Sequence, residues 1–307
     1  MITNKIELFF INIGLIHAGA NYHNPADAPI CGLVESIRAL DLPAATKNWF
    51  CLARTGQVAV NPFYPRGSDL AAACFFLRDG RLNETAYYAF LKACGSQDPI
   101  GEGDFREWMS RFAEILSGMF ALPSAMALWH EYESIIADRS DAWCSMIASA
   151  QNKIHACYGD AAPELLFCPN LFNQYLADYV RLDNQIIVIA IEPNGESMLH
   201  EALHPLFAAY RDRFLAYADK QPIAPFADEA AMLETGYMAD ASAAAKAHVL
   251  EECFVRALSV VLSGGGSERV DFHQRCGFRG VAHLAERFRD AAINREGILA
   301  VVEASLR

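Results

Sequence analysis

Apolar residues recur at i, i+3 and i+4 in segment after segment of residues 1–160, the spacing of helices that bury one face. Ile6, Phe9, Phe10, Ile13 and Ile16 set this pattern first and predict an opening core helix over 6–17. Residues 41–66, with Pro43, Pro62 and Pro65, read as connectors around a short apolar piece. Ser68 is placed to cap a helix over 69–77 that Asp79-Gly80 closes. Asn83 opens the next, 84–93, which Gly95 ends. Asp104 is placed to cap a helix through Leu116, followed by Gly118. Ser124 is placed to cap one to about residue 137, and Asp141 to start another to about 156.

Beyond residue 160 the period changes. Residues 164–168 and 180–182 are short strand candidates, and Asp183-Asn184 turns the chain into the apolar strand 185–191. A turn at Glu192-Pro193-Asn194-Gly195 then leads into a helix whose positions 198, 199, 202, 203, 206 and 207 are all apolar or small. Pro205 predicts a kink, after which an amphipathic helix resumes to Lys220. Residues 221–241 read as a loop with a short helix. The Ala-rich segment 243–262 is a strong helix, stopped by Gly264-Gly265-Gly266. The expected fold is α+β and predominantly helical. Residues 1–160 would form a helical N-terminal part, and 161–307 a metal-binding part with a small sheet.

Composition narrows the class. The chain is 53% hydrophobic and 20% charged, enough apolar residue for a sizeable core. Its net charge of −12 argues against nucleic acid and anionic membrane surfaces as partners. No apolar run reaches the roughly 18 residues of a membrane span. The nine cysteines are scattered with no C-x-x-C pair, as in a reducing, cytoplasmic setting. Lys5, the apolar run to Ile16 and Ala18-Gly19-Ala20 imitate a secretory leader, which would make the protein secreted or periplasmic. Glu7 and Asn12 interrupt that imitation.

The chemistry concentrates at His200-Glu201-Ala202-Leu203-His204. Two histidines four apart share a helix face, with Cβ atoms roughly 5–6 Å apart. Both can reach one cation at Zn–N distances of about 2.0–2.1 Å. Glu201, stepped round the helix, is free to act as general base on water, which is the zinc-hydrolase pattern. The competing reading is a surface His pair beside a solvated Glu. Three ionisable side chains on so apolar a helix need partners, however, and a metal supplies them. His130-Glu131 begins like the motif but lacks the second His, and His17, His23 and His155 have no partner at ligand spacing.

A catalytic zinc needs a third protein ligand. An extended H-x-x-G-x-x-H motif fails, because Phe207 and Tyr210 stand where Gly and His would be. Glu251 and Glu252 sit in the apolar centre of the later helix. Arg256 lies four after Glu252 and is placed to hold its carboxylate, so Glu252 is the expected ligand ahead of Glu251. His248 and Asp228 are weaker options. For the oxyanion-stabilising group, Tyr237 is the first choice, because it lies in the loop between the two helices, ahead of His273 and Tyr210.

His200-Glu201-x-x-His204-Pro205, followed by Glu252-Cys253-Phe254-Val255-Arg256-Ala257, resembles a group of poorly characterised bacterial metallopeptidases. More broadly it resembles the gluzincin type of zincin, in which two His from the motif helix and a Glu from a second helix hold zinc. Gly277-Phe278 and the segment 6–17 also resemble that group. Gluzincins often carry an Asp four after the ligand Glu to orient a His, and Arg256 stands there instead. The resemblance implies a zinc metallopeptidase with His200, His204 and Glu252 as ligands, Glu201 as catalytic base and a peptide or protein as substrate. Two other classes stay open: a non-catalytic metal-binding or helical interaction protein, and a metal-dependent hydrolase of a non-peptide substrate. Nothing in the sequence fixes the oligomeric state.

Overall fold

A computed structural model describes residues 1–20, 23–54, 67–93, 102–173, 177–235, 237–238 and 240–307. The first helix, α1 (Ile6–His17), is the expected core helix, with Phe9, Phe10, Ile11 and Ile13 fully buried. It is followed by α2 (Ala28–Arg38) and α3 (Ala44–Arg54). The last corrects the reading of 41–66 as connectors: Thr46, Trp49 and Phe50 turn one helical face into the core. At Gly14 of α1 an added Cβ would lie 2.1 Å from the Phe50 ring, so α1 and α3 meet closely where there is no side chain. Residues 55–66 lie outside the described residues.

α4 (Gly67–Ala73) takes in Ser68 rather than starting after it. It gives way to a 3₁₀ turn and a two-strand ribbon, β1 (Leu77–Arg78) and β2 (Arg81–Leu82), turned by Asp79-Gly80. α5 (Glu84–Ala93) agrees with expectation, although its proposed stop at Gly95 lies outside the described residues. The helix expected over 104–116 is instead two, α6 (Glu102–Met109) and α7 (Phe112–Phe120). The break coincides with a contact from α3. Trp49 donates its indole N–H to the Trp108 carbonyl at 2.9 Å, and the two indoles stack at 4.0 Å. The Trp108 carbonyl also accepts from Arg111 N at 3.4 Å, the tighter i to i+3 bond of a helix end.

The two helices expected over 124–156 are one, α8 (Pro123–Tyr158). Its buried seam runs Ala125, Trp129, Tyr132, Ile136, then Trp143, Ile147, Ala150, Ile154 and Cys157. In the gap, Arg139 reaches across to Asp27 at 2.8 Å, so a polar contact takes over where apolar ones lapse. Ser140 bonds back to the Ala137 carbonyl, and neither it nor Asp141 interrupts the helix.

Three strands follow: β3 (Glu164–Pro169), β4 (Asp178–Leu182) and β5 (Gln185–Ala190). The order is β3-β5-β4, with β3 parallel and β4 antiparallel to β5. Asp183, in the left-handed region at φ 51°, makes the expected hairpin turn. Residues 1–3 run beside β3 through Ile2 and Phe167, which leaves β4 as the other edge. Gln151 of α8 bonds to Leu165 N and Pro163 O and docks this sheet on the long helix.

The rest is helical: α9 (Gly195–Ala208), α10 (Arg211–Lys220), α11 (Glu229–Glu234), α12 (Ala243–Ser263), α13 (Ser267–Arg275), α14 (Val281–Asp290) and α15 (Arg295–Ser305). α12 is the hub, packed on α9, α10 and α14. Its Phe254 ring lies 5.4–6.4 Å from those of Phe207, Phe214, Phe226 and Phe288. Gly264, left-handed at φ 75°, caps α12 as the glycine run predicts. The architecture is thus predominantly helical α+β, as expected. No single described helix is long and apolar enough to cross a membrane.

Candidate metal centre

Asn194 begins α9 by accepting a hydrogen bond from Ser197 N at 2.8 Å. One face of the helix goes into the core, with Met198, Leu199, Ala202, Leu203 and Phe207 fully buried. That orientation turns His200, Glu201 and His204 towards α12. Pro205 cannot bond back to the Glu201 carbonyl. The helix nevertheless carries on through it and stops one turn later at Ala208, where the chain turns into α10. Tyr158 of α8 donates to the next carbonyl, Ala202, at 2.9 Å and pins this stretch.

His200, His204 and Glu252 converge. The His200 and His204 Nε2 atoms are 3.3 Å apart. His204 Nε2 lies 3.3 Å from Glu252 Oε1, and His200 Nε2 3.6 Å from Glu252 Oε2. Atoms bound at 2.0–2.1 Å around a tetrahedral zinc would be about 3.3–3.4 Å from one another. The three side chains therefore form a group able to hold a metal ion. The donor chemistry agrees: Glu252 Oε2 is buried and takes no hydrogen bond of good geometry, although Arg256 NH2 is 3.1 Å away.

Each group around the triad is held. Nδ1 of His204 donates to Glu251 Oε1 at 3.1 Å, which fixes the tautomer with Nε2 facing the triad. Tyr179 of β4 stacks on the His204 ring, 5.8 Å between centroids and 9° between planes. Arg256 NH2 also donates to the Tyr237 hydroxyl at 3.2 Å. Glu201 Oε1 is 4.0 Å from His200 Nε2, close to the triad without belonging to it.

Charge follows from this packing. Burial pushes the His200 imidazole down to about 3, against the pull of Glu252, so it is neutral with a lone pair to donate. Burial also raises the Glu201 carboxyl to about 8; nearby His204 opposes this and Asp178 adds to it. For His204 burial acts downward, but hydrogen bonds to Glu251 and Glu252 outweigh it and hold the ring well above its ordinary value. Burial opposes ionisation of Glu252, yet His200, His204 and Arg256 keep it well below the usual carboxylate range.

The other candidates sit elsewhere. His248 is exposed and stacks on Tyr237 at 6.2 Å. Asp228 caps α11 and pairs with Arg279. Tyr210 precedes α10 and packs against Phe207 and Arg213. Both ring nitrogens of His273 are engaged, by Glu196 and Arg256. His130 pairs with Glu133 on the exposed face of α8. The roles of Glu251 and Tyr179 went unread in the sequence. Glu251 gave no sign of a partner, and the stacking of Tyr179 depends on how the hairpin lies across α9.

Set beside known proteins, this chain matches no protein-family model, no curated protein and no solved structure.

Proposed function

We propose that the protein is a zinc-dependent hydrolase, and within that class a peptidase. The observation that carries this reading is the convergence of Glu252 on His200 and His204 at 3.3–3.6 Å, with Glu201 4.0 Å from His200. His200, His204 and Glu252 would hold the zinc, which would supply Lewis acidity towards a water and a carbonyl. Glu201 takes the proton from the attacking water and passes it to the leaving amine. Burial makes the Glu201 carboxylate more basic, as a general base requires. Tyr237, hydrogen-bonded to Arg256 beside Glu252, is the group to steady the developing oxyanion.

The substrate class rests on β4. An edge strand beside the triad, with Tyr179 against His204, offers backbone hydrogen bonds to an extended peptide. A three-ligand set also favours catalysis over a purely structural metal, which is ordinarily closed by four protein ligands.

Metal analysis of purified protein tests the first step: about one zinc per chain, lost in His200→Ala. Glu201→Gln separates the rivals. A catalytic site keeps zinc and loses turnover on a peptide library. A protein that holds metal only for stability or partner binding cleaves nothing in either form. Cleavage of non-peptide amides, with peptides untouched, would move the assignment to the other hydrolase class.

A further inference from the structure

Arg256 presents a problem to the centre it adjoins. A guanidinium frequently forks onto a carboxylate through two parallel hydrogen bonds. Locked in such a fork, Glu252 would have little left to give a metal. Yet Arg256 meets Glu252 through NH2 alone, at 3.1 Å, and its Nε is buried without a partner. Something holds the guanidinium in this posture.

His273 of α13 is placed to do so. It is 3% exposed, with Nδ1 3.2 Å from Arg256 NH1 and Nε2 2.8 Å from Glu196 Oε1. A guanidinium has only donors, so Nδ1 must accept from it. Nε2 therefore carries the hydrogen and donates it to Glu196. The second oxygen of Glu196 takes Arg269 Nε at 2.6 Å, which fixes the carboxylate as well. Phe278 lies under the guanidinium at 4.3 Å and sets its plane. Glu196 is one turn before His200 on α9. The chain Glu196–His273–Arg256 thus starts on the helix that carries both imidazoles and ends beside the carboxylate facing them.

We propose that His273 is a positioning residue: bridging Glu196 and Arg256, it keeps the guanidinium from forking onto Glu252 and leaves that carboxylate available to a metal. The inference rests on the metal-site reading. It gives α13 a part in the centre although none of its side chains belongs to the triad.

The test is zinc titration of the metal-stripped full chain, with circular dichroism to check the fold. His273→Phe fills the space and releases Arg256, and zinc affinity falls about 10- to 100-fold, the usual effect of losing a group that holds a ligand in place. His273→Asn, which retains an acceptor towards Arg256, stays within a few-fold of the parent. The decisive variant is His273→Phe with Arg256→Met: once the guanidinium is gone, most of the affinity returns. Full affinity in His273→Phe alone, or a loss that the double variant does not recover, overturns the proposal. Should His273→Phe not fold, Glu196→Ala frees the same ring from its anchor, and the same recovery by Arg256→Met is required. Failure of the metal-site reading looks different, because the parent itself then binds no zinc that His200→Ala abolishes.

Discussion

Glu251 and His204 form the contact that sets the orientation of the site: Nδ1 of the ring donates to the carboxylate at 3.1 Å, leaving Nε2 to face Glu252 at 3.3 Å. Two consecutive residues of α12 hold the two edges of one imidazole. They lie about 100° apart around the helix, since 3.6 residues make a turn. The ring inserts between them.

The two carboxylates should therefore respond differently to mutation. Glu251→Gln is expected to retain zinc but bind it about 10- to 100-fold more weakly, as when a group orienting a ligand is lost. Glu252→Gln should lose the ion altogether under the same titration. The reverse order of severity would make Glu251 the ligand.

Tyr237→Phe removes only the hydroxyl beside Arg256 and Glu252. Turnover on a cleaved peptide should drop about 10²- to 10³-fold with KM little changed, as when one oxyanion donor is removed. Unaltered kcat would take Tyr237 out of the reaction.

Glu196 gives the pH dependence a sign. Burial acts to raise its carboxyl, but hydrogen bonds from His273 and Arg269 prevail and hold it at about 2, against an ordinary 4.5. A carboxyl depressed in the folded state adds stability above its unfolded pKa and loses it as pH falls through the folded one. Glu196→Gln should therefore be less stable than the parent in urea at pH 7. The gap between them should close between pH 4.5 and 2. A constant gap across that range would mean that the ionised carboxylate is not what holds Arg269 and His273.

Gly14→Ala tests the close approach of α1 to α3. Helix propensity alone favours the alanine by about 1 kcal/mol. The new methyl would meet the fully buried Phe50 ring at 2.1 Å. Overpacking of this kind costs about 1–3 kcal/mol, so the net effect on the urea midpoint should be a loss. Phe50→Leu in the same chain should return part of it. A stabilised Gly14→Ala would show that the two helices have room to part.

Local signals carried well into the structure, and distant ones did not. The Gly264 stop, the Asp183 turn and the apolar face of α9 all depend on neighbours within a few positions. The i, i+4 relation that singled out Glu252 appears as its 3.1 Å approach to Arg256. What sequence spacing hid was set by contacts across the fold. α8 stays whole because Arg139 finds Asp27, 112 residues away. α6 ends where Trp49 takes the Trp108 carbonyl, 59 residues away. The bond from His273 to Glu196 spans 77 residues. α3 was obscured by the prolines around it, although Thr46, Trp49 and Phe50 carry a helical face.

The ring of Phe254, clasped by four other phenylalanines, acts as a keyway for the hub helix. Side chains on one rod rotate together, so a smaller residue at 254 would let the rod roll and swing both acids away from the imidazole they grip. Damage done there, on the greasy side of the helix, would surface at the candidate metal centre as well as in the core.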